Sequence, residues 1–171
     1  MRDQMNKGLK GWVPVALLFP LWAPLLVLVV LIVLVCLPFY WLYRAALRLL
    51  VQLLWVSRGK RVLFVYSRSP VWQEYIERTW LPRLGEQAIV LNWSDRAKWR
   101  SSMSLAPLVF RACAPATGFN PMAILFPRFP FTKRIGFFYA FRDWKHGNEI
   151  ALRAAEAQLF EFVDSLRRLD A

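Results

Sequence analysis

From Trp12 to Tyr43 the chain runs for 32 consecutive residues without a charged side chain, and Leu25 to Leu37 is almost entirely Leu, Val and Ile. A membrane-spanning helix needs about 20 such residues, so the run is long enough to cross a bilayer once. It matches a cleaved signal peptide poorly, because those have an apolar region of about 7 to 15 residues ending at small residues. Nothing resembling an Ala-x-Ala site follows Val35. Pro14, Pro20, Pro24 and Pro38 interrupt the run. Each lacks a backbone donor, so Pro20 and Pro24 predict a break near the start of the helix, with the cleanest span at about 21–40.

Beyond that span, Phe39 to Val56 is apolar or small except for Arg44, Arg48 and Gln52, which recur every four residues. This spacing places three polar groups on one helical stripe, as a helix lying among lipid headgroups requires. Trp41, Tyr43 and Trp55 suit the same zone. The alternative is a second crossing that makes a hairpin, against which stands the cost of a mid-bilayer arginine, roughly 2.5 to 3.5 kcal/mol. Residues 1–57 thus read as an anchor, a single span or a helical hairpin, and 58–171 as a domain outside the bilayer. Arg44, Arg48, Arg58, Lys60 and Arg61 outnumber Arg2, Lys7 and Lys10, which predicts a cytoplasmic domain on a plasma or bacterial inner membrane.

Composition agrees with this plan. Hydrophobic residues make up 57% of the chain, including nine Trp and thirteen Phe, more than one core of this size would bury. The net charge is +12, with basic excess on both sides of Arg61. Beside a bilayer, anionic lipid is a nearer partner for that charge than nucleic acid. Two cysteines, Cys36 in the apolar run and Cys113 outside it, together with the single His146 offer neither a disulfide nor metal-ligand spacing, so no cofactor is expected.

From Arg61 the pattern alternates strand and helix signals. Arg61 to Tyr66 reads as a strand buried on both faces. Ser69 and Pro70 supply a cap and a first-turn proline for a helix whose inner face carries Trp72, Tyr75, Ile76, Thr79 and Trp80, and which Pro82 and Gly85 bring to a stop. Ala88 to Trp93 is a second strand, Asp95 to Ala112 a helix broken near Pro107, Met122 to Phe126 a third strand and Ile135 to Phe141 a fourth. Asn148 caps a last helix with Leu152, Ala155, Leu159, Val163 and Leu166 facing inward.

The resulting α/β order, β-α-β-α-β-β-α, resembles the thioredoxin fold, a three-layer domain. In that family the first strand leads into a Cys-x-Pro-Cys or related segment, and the matching residues are Arg68-Ser69-Pro70-Val71. The family also places a cis-proline just before the third strand, where Pro121 stands. Both redox cysteines are absent, so thiol-disulfide exchange is not expected.

Candidate binding residues fall at strand ends. Ser67, Arg68 and Ser69 offer free amides and a positive charge to an anion, or else form a plain helix cap. Asn92 and Asp95 end the second strand, where open α/β sheets bind ligands, although Asp95 equally suits a cap. Asn120 and Pro121 would lie beside Arg68 in a thioredoxin-like arrangement. His146, with Arg142, Asp143 and Lys145, fits a solvated loop or a catalytic group without a nucleophile. The eight basic residues from Arg96 to Arg142, with no acidic one among them, form a belt suited to anionic lipid.

Two functional classes follow. One is a tethered, non-enzymatic module that binds a protein partner or the anionic membrane surface. The other is an enzyme acting on a phosphorylated or lipid-linked substrate through Arg68, Asn92 and the surroundings of His146.

Overall fold

A computed structural model describes the backbone of residues 2–100, 104–117, 120–127 and 132–170, and the side chains of 22–99, 104–117, 120–127 and 132–168. The chain divides into two compact units, 1–45 and 46–171.

The first unit is helical throughout its described residues. It belongs to α1, which runs from Arg2 to Leu54, 53 residues without interruption. The expected break at Pro20 and Pro24 is absent, and no hairpin forms between 41 and 54. A proline removes one hydrogen bond, but neighbouring turns can re-satisfy the freed carbonyl, so an apolar helix tolerates it. Leu25 to Val35 are all exposed, and among the described residues one helix is long and apolar enough to cross a membrane.

The second unit begins inside α1. Leu47, Val51 and Trp55 recur every four residues and are buried there. Trp55, expected among headgroups, instead packs edge-on against Phe126 at 5.8 Å. A short 3-10 turn, Val56–Arg58, and Gly59 lead to β1, Val62–Tyr66, every residue of which is buried.

Next come three helical turns that follow one another directly: α2, Gln73–Tyr75, a π-helical turn, Ile76–Trp80, and α3, Leu81–Leu84. The wider π turn immediately precedes Pro82, whose ring would crowd the carbonyl of Arg78 in a regular α-helix. Gly85 adopts φ 55°, a conformation other residues avoid, and ends the run. Then come β2, Ala88–Asn92, and α4, Arg96–Arg100, followed by α5, Leu105–Cys113. Pro107 does not break a helix: it sits in the first turn of α5, where its missing donor costs nothing.

The third strand, β3, is Met122–Leu125, and β4 is Lys133–Gly136. The expected strand from Ile135 to Phe141 is thus cut short, and α6, Phe138–Lys145, takes its second half. Phe137, Ala140 and Phe141 are buried at helical spacing, which a strand would have split between two faces. The last helix, α7, is Ile150–Asp170, and Asn148 Oδ1 accepts from the Ile150 amide at 3.2 Å.

The four strands form one sheet in the order β2-β1-β3-β4. β1 and β2 are parallel, with Tyr66 opposite Asn92, whereas β3 is antiparallel to both β1 and β4. Alternate residues feed two cores. Val62, Phe64, Tyr66, Ala123 and Leu125 face the 73–84 helix, α6 and α7. Leu63, Val65, Met122 and Ile124 face Val51, Trp55 and α5. The globular unit is therefore a mixed α/β sandwich with helices on both sheet faces.

Candidate functional site at the ends of β1 and β2

Because β1 and β2 run parallel, their C-terminal ends meet and deliver two loops to one place. Asn92 Oδ1 accepts the Ser94 amide at 2.9 Å, an Asx turn that brings the Ser94 hydroxyl back toward the β1 loop. Ser94 Oγ accepts the Arg68 amide at 3.0 Å. The Arg68 guanidinium donates to Asp95 Oδ2 at 2.9 Å, and Lys98 Nζ approaches Asp95 Oδ1 at 3.4 Å. Arg68, Asn92 and Asp95 are therefore brought together, with Ser94 as the link between the two loops.

Ser69 works through its backbone more than its hydroxyl. Its carbonyl accepts from the amides of Trp72 and Gln73 at 3.2 and 2.9 Å, while its Oγ accepts from Val71 at 3.4 Å. The Trp72 indole donates to the Ser67 carbonyl at 3.2 Å, pinning the loop from the other side.

The last β1/β3 pair is Val65 opposite Met122, and Asn120 and Pro121 directly precede that pair in the chain. The Asn120–Pro121 peptide is cis, and the Pro121 carbonyl accepts the Phe137 amide at 2.8 Å. Asn120 Oδ1 is buried and has no hydrogen-bond partner among the described residues. His146 lies at the end of α6, its amide bonded to the Asp143 carbonyl at 3.0 Å. Arg142 and Asp143 lie in α6 rather than a loop and pair with each other at 3.2 Å.

The Arg68 side chain is more than half exposed, and an exposed ion pair is worth at most about 1 kcal/mol. Arg68→Ala is accordingly expected to lower stability by less than ~1 kcal/mol in a denaturant titration, because the Ser94 bond uses its backbone amide. Ser94→Ala, which removes the link between the loops, should cost about as much or more, ~1 kcal/mol. A loss above ~2 kcal/mol for Arg68→Ala would show that the guanidinium holds the loops together.

Beneath this site lies a polar group that spacing alone did not reveal. Tyr66 donates to Glu77 Oε1 at 2.9 Å. Burial, and then the Glu77 bond and charge, push the Tyr66 phenol up to about 12, while Arg68 pulls it the other way. Since the unfolded phenol ionises near 10, its contribution to stability is whole below pH 10 and is lost as pH rises toward 12. Tyr66→Phe should flatten the fall in melting temperature across that window. An unchanged slope would assign the alkaline loss to other groups, among them Tyr75, whose phenol burial and Glu156 also raise.

On the side of α7, Glu156 gathers three donors onto one carboxylate. Tyr75 Oη donates at 3.2 Å, Trp80 Nε1 at 3.0 Å and Arg153 Nη1 at 3.2 Å. Its partners Tyr75 and Trp80 are 81 and 76 residues away, so no local motif announces the group. Among the described residues no cluster of three His, Cys, Asp or Glu could hold a metal ion.

No protein-family model, curated protein or solved structure matches this chain.

Proposed function

We propose that the chain is a membrane-anchored, non-redox module of thioredoxin-like topology whose globular unit works against the anionic surface of the membrane that holds it. The observation that carries the anchor is the unbroken exposed apolar surface of α1 from Leu25 to Val35, whose removal from water is favourable by about 25 cal/mol per Å². The topology is supported by the parallel β1/β2 pair, the antiparallel β3/β4 pair and the closing helix α7.

At the site itself, Arg68 and Val71 stand where the resembled family carries redox cysteines, and the Arg68 charge is countered by Asp95. This arrangement favours holding two loops over turning over a substrate. The basic residues that follow the span, Arg44, Arg48, Arg58, Lys60 and Arg61, favour a cytoplasmic globular unit.

Full-length protein expressed in cells should stay with the membrane fraction through washes in high salt and alkaline carbonate, and leave it only in detergent. Release by carbonate would show a peripheral association and overturn the anchor.

A further inference from the structure

The two helical layers of the globular unit differ in charge. On one sheet face, the 73–84 helix, α6 and α7 together carry seven cations and six carboxylates among the described side chains. On the other, the end of α1 from Ala46, the two 3-10 turns Val56–Arg58 and Trp93–Asp95, α4 and α5 carry, among the described side chains, five cations and a single carboxylate, Asp95. The linear basic belt from Arg96 to Arg142 is thereby divided: Arg96, Lys98 and Arg111 lie in the second layer, and Arg142 lies in the first on α6.

The same second layer exposes apolar surface. At 100° per residue, Leu47, Val51 and Trp55 face the sheet, Arg48 and Gln52 flank them, and Ala46, Leu49, Leu50, Leu53 and Leu54 share the remaining arc. Leu49 and Leu53 are each 60% exposed. Three sides of one helical segment thus have three environments: core, polar, and apolar with no cover within the unit.

We infer that this layer is the bilayer-facing surface of the globular unit, with Leu49 and Leu53 at the acyl boundary and Arg48, Arg58, Arg96, Lys98 and Arg111 among anionic headgroups. Charge complementarity selects the occupant: a cationic layer with a leucine arc fits anionic lipid, whereas a second copy of the layer would bring like charges together. Chain continuity agrees, since Leu49 follows the apolar run of the same helix. The opposite layer, nearly balanced in charge, is left facing the aqueous phase. This inference rests on the membrane-anchor reading and adds to it which face of the protein meets lipid.

The test uses full-length protein in vesicles, with an environment-sensitive fluorophore on one introduced cysteine at a time. Val30→Cys reports the span, Leu53→Cys the leucine arc, Ala97→Cys the cationic layer and Ala157→Cys the balanced layer. The background is Cys36→Ser, Cys113→Ser, used once its melting curve matches the parent. In vesicles of phosphatidylcholine and phosphatidylserine, a headgroup-level lipid quencher should quench the probes at 53 and 97 several-fold more than the probe at 157. Phosphatidylcholine alone, or Arg96→Glu with Lys98→Glu, should reduce quenching at 97 and leave Val30 unchanged. Equal quenching at 97 and 157 would overturn the inference while Val30 still reports a span. Disulfide cross-linking between two chains at position 53, with no lipid quenching there, would overturn it in favour of a second copy. A probe at Val30 that fails to sense lipid would instead remove the anchor reading beneath it.

Discussion

Trp80→Ala is expected to lower the stability of the globular unit by about 4 kcal/mol, toward the upper range for large-to-small core changes. The indole is fully buried and touches five aromatic rings, those of Phe64, Tyr75, Phe137, Phe141 and Phe160, at centroid distances of 4.7 to 6.4 Å. Truncation would leave a cavity at the centre of this cluster and take from Glu156 one of its donors, the 3.0 Å indole N–H bond. Since a domain of this size has about 5 to 15 kcal/mol in total, the variant should be near the edge of unfolding at physiological temperature. Trp80→Phe retains most of the ring volume and loses the donor, so it should fall between, at about 1 to 3 kcal/mol. Denaturant titration followed by near-ultraviolet circular dichroism separates the two. A cost below ~1 kcal/mol for the alanine variant would mean that the core collapses around the gap, and would overturn the assignment of Trp80 as its centre.

The second large effect concerns where the domain begins. A fragment of residues 46–171 in mild detergent is expected to unfold cooperatively, and one of residues 58–171 is not. The shorter fragment lacks Val51, Trp55 and Val56, all buried against Leu63, Val65, Met122, Ile124 and Phe126. Burial of a large apolar side chain is worth about 1.5 to 3 kcal/mol, so the three together approach the whole stability of a small domain. The exposed sheet face would also invite aggregation. Equal denaturation midpoints for the two fragments would show that the end of α1 is only a linker. Trp55→Ala in the full chain gives an independent measure, with an expected loss of about 3 kcal/mol.

This boundary illustrates how far sequence reasoning carries. Arg44, Arg48 and Gln52 identify a polar stripe, and from the stripe alone the other sides of the helix read as facing lipid. Only the sheet shows that one of those sides, Leu47, Val51 and Trp55, belongs to a protein core. Apolar residues at helical spacing look the same whether lipid or protein covers them.

The stretch from Ile135 to Phe141 fails for a related reason. Its aromatic and β-branched content satisfies a strand, and its burial at Phe137, Ala140 and Phe141 satisfies a helix. The choice falls to tertiary packing, because all three side chains reach the core shared by Phe64 and Trp80 only from a helix.

Local periodicity was sufficient wherever one pattern applied. The sequence by itself determined the long apolar helix, the doubly buried strand Val62–Tyr66, the inward positions Ile76 and Trp80, and the stripe Leu152, Leu159, Val163 and Leu166 on α7. It also placed Ser67, Arg68, Asn92 and Asp95 at two strand ends, since ends are marked by the residues that stop a strand. Tertiary structure alone decided that those ends share the Ser94 link, that Glu156 meets Tyr75 and Trp80, and that net positive charge falls on one layer. Side-chain period is written along the chain and can be read there, whereas pairings between distant residues exist only once parallel strands and packed helices have brought them within bonding distance.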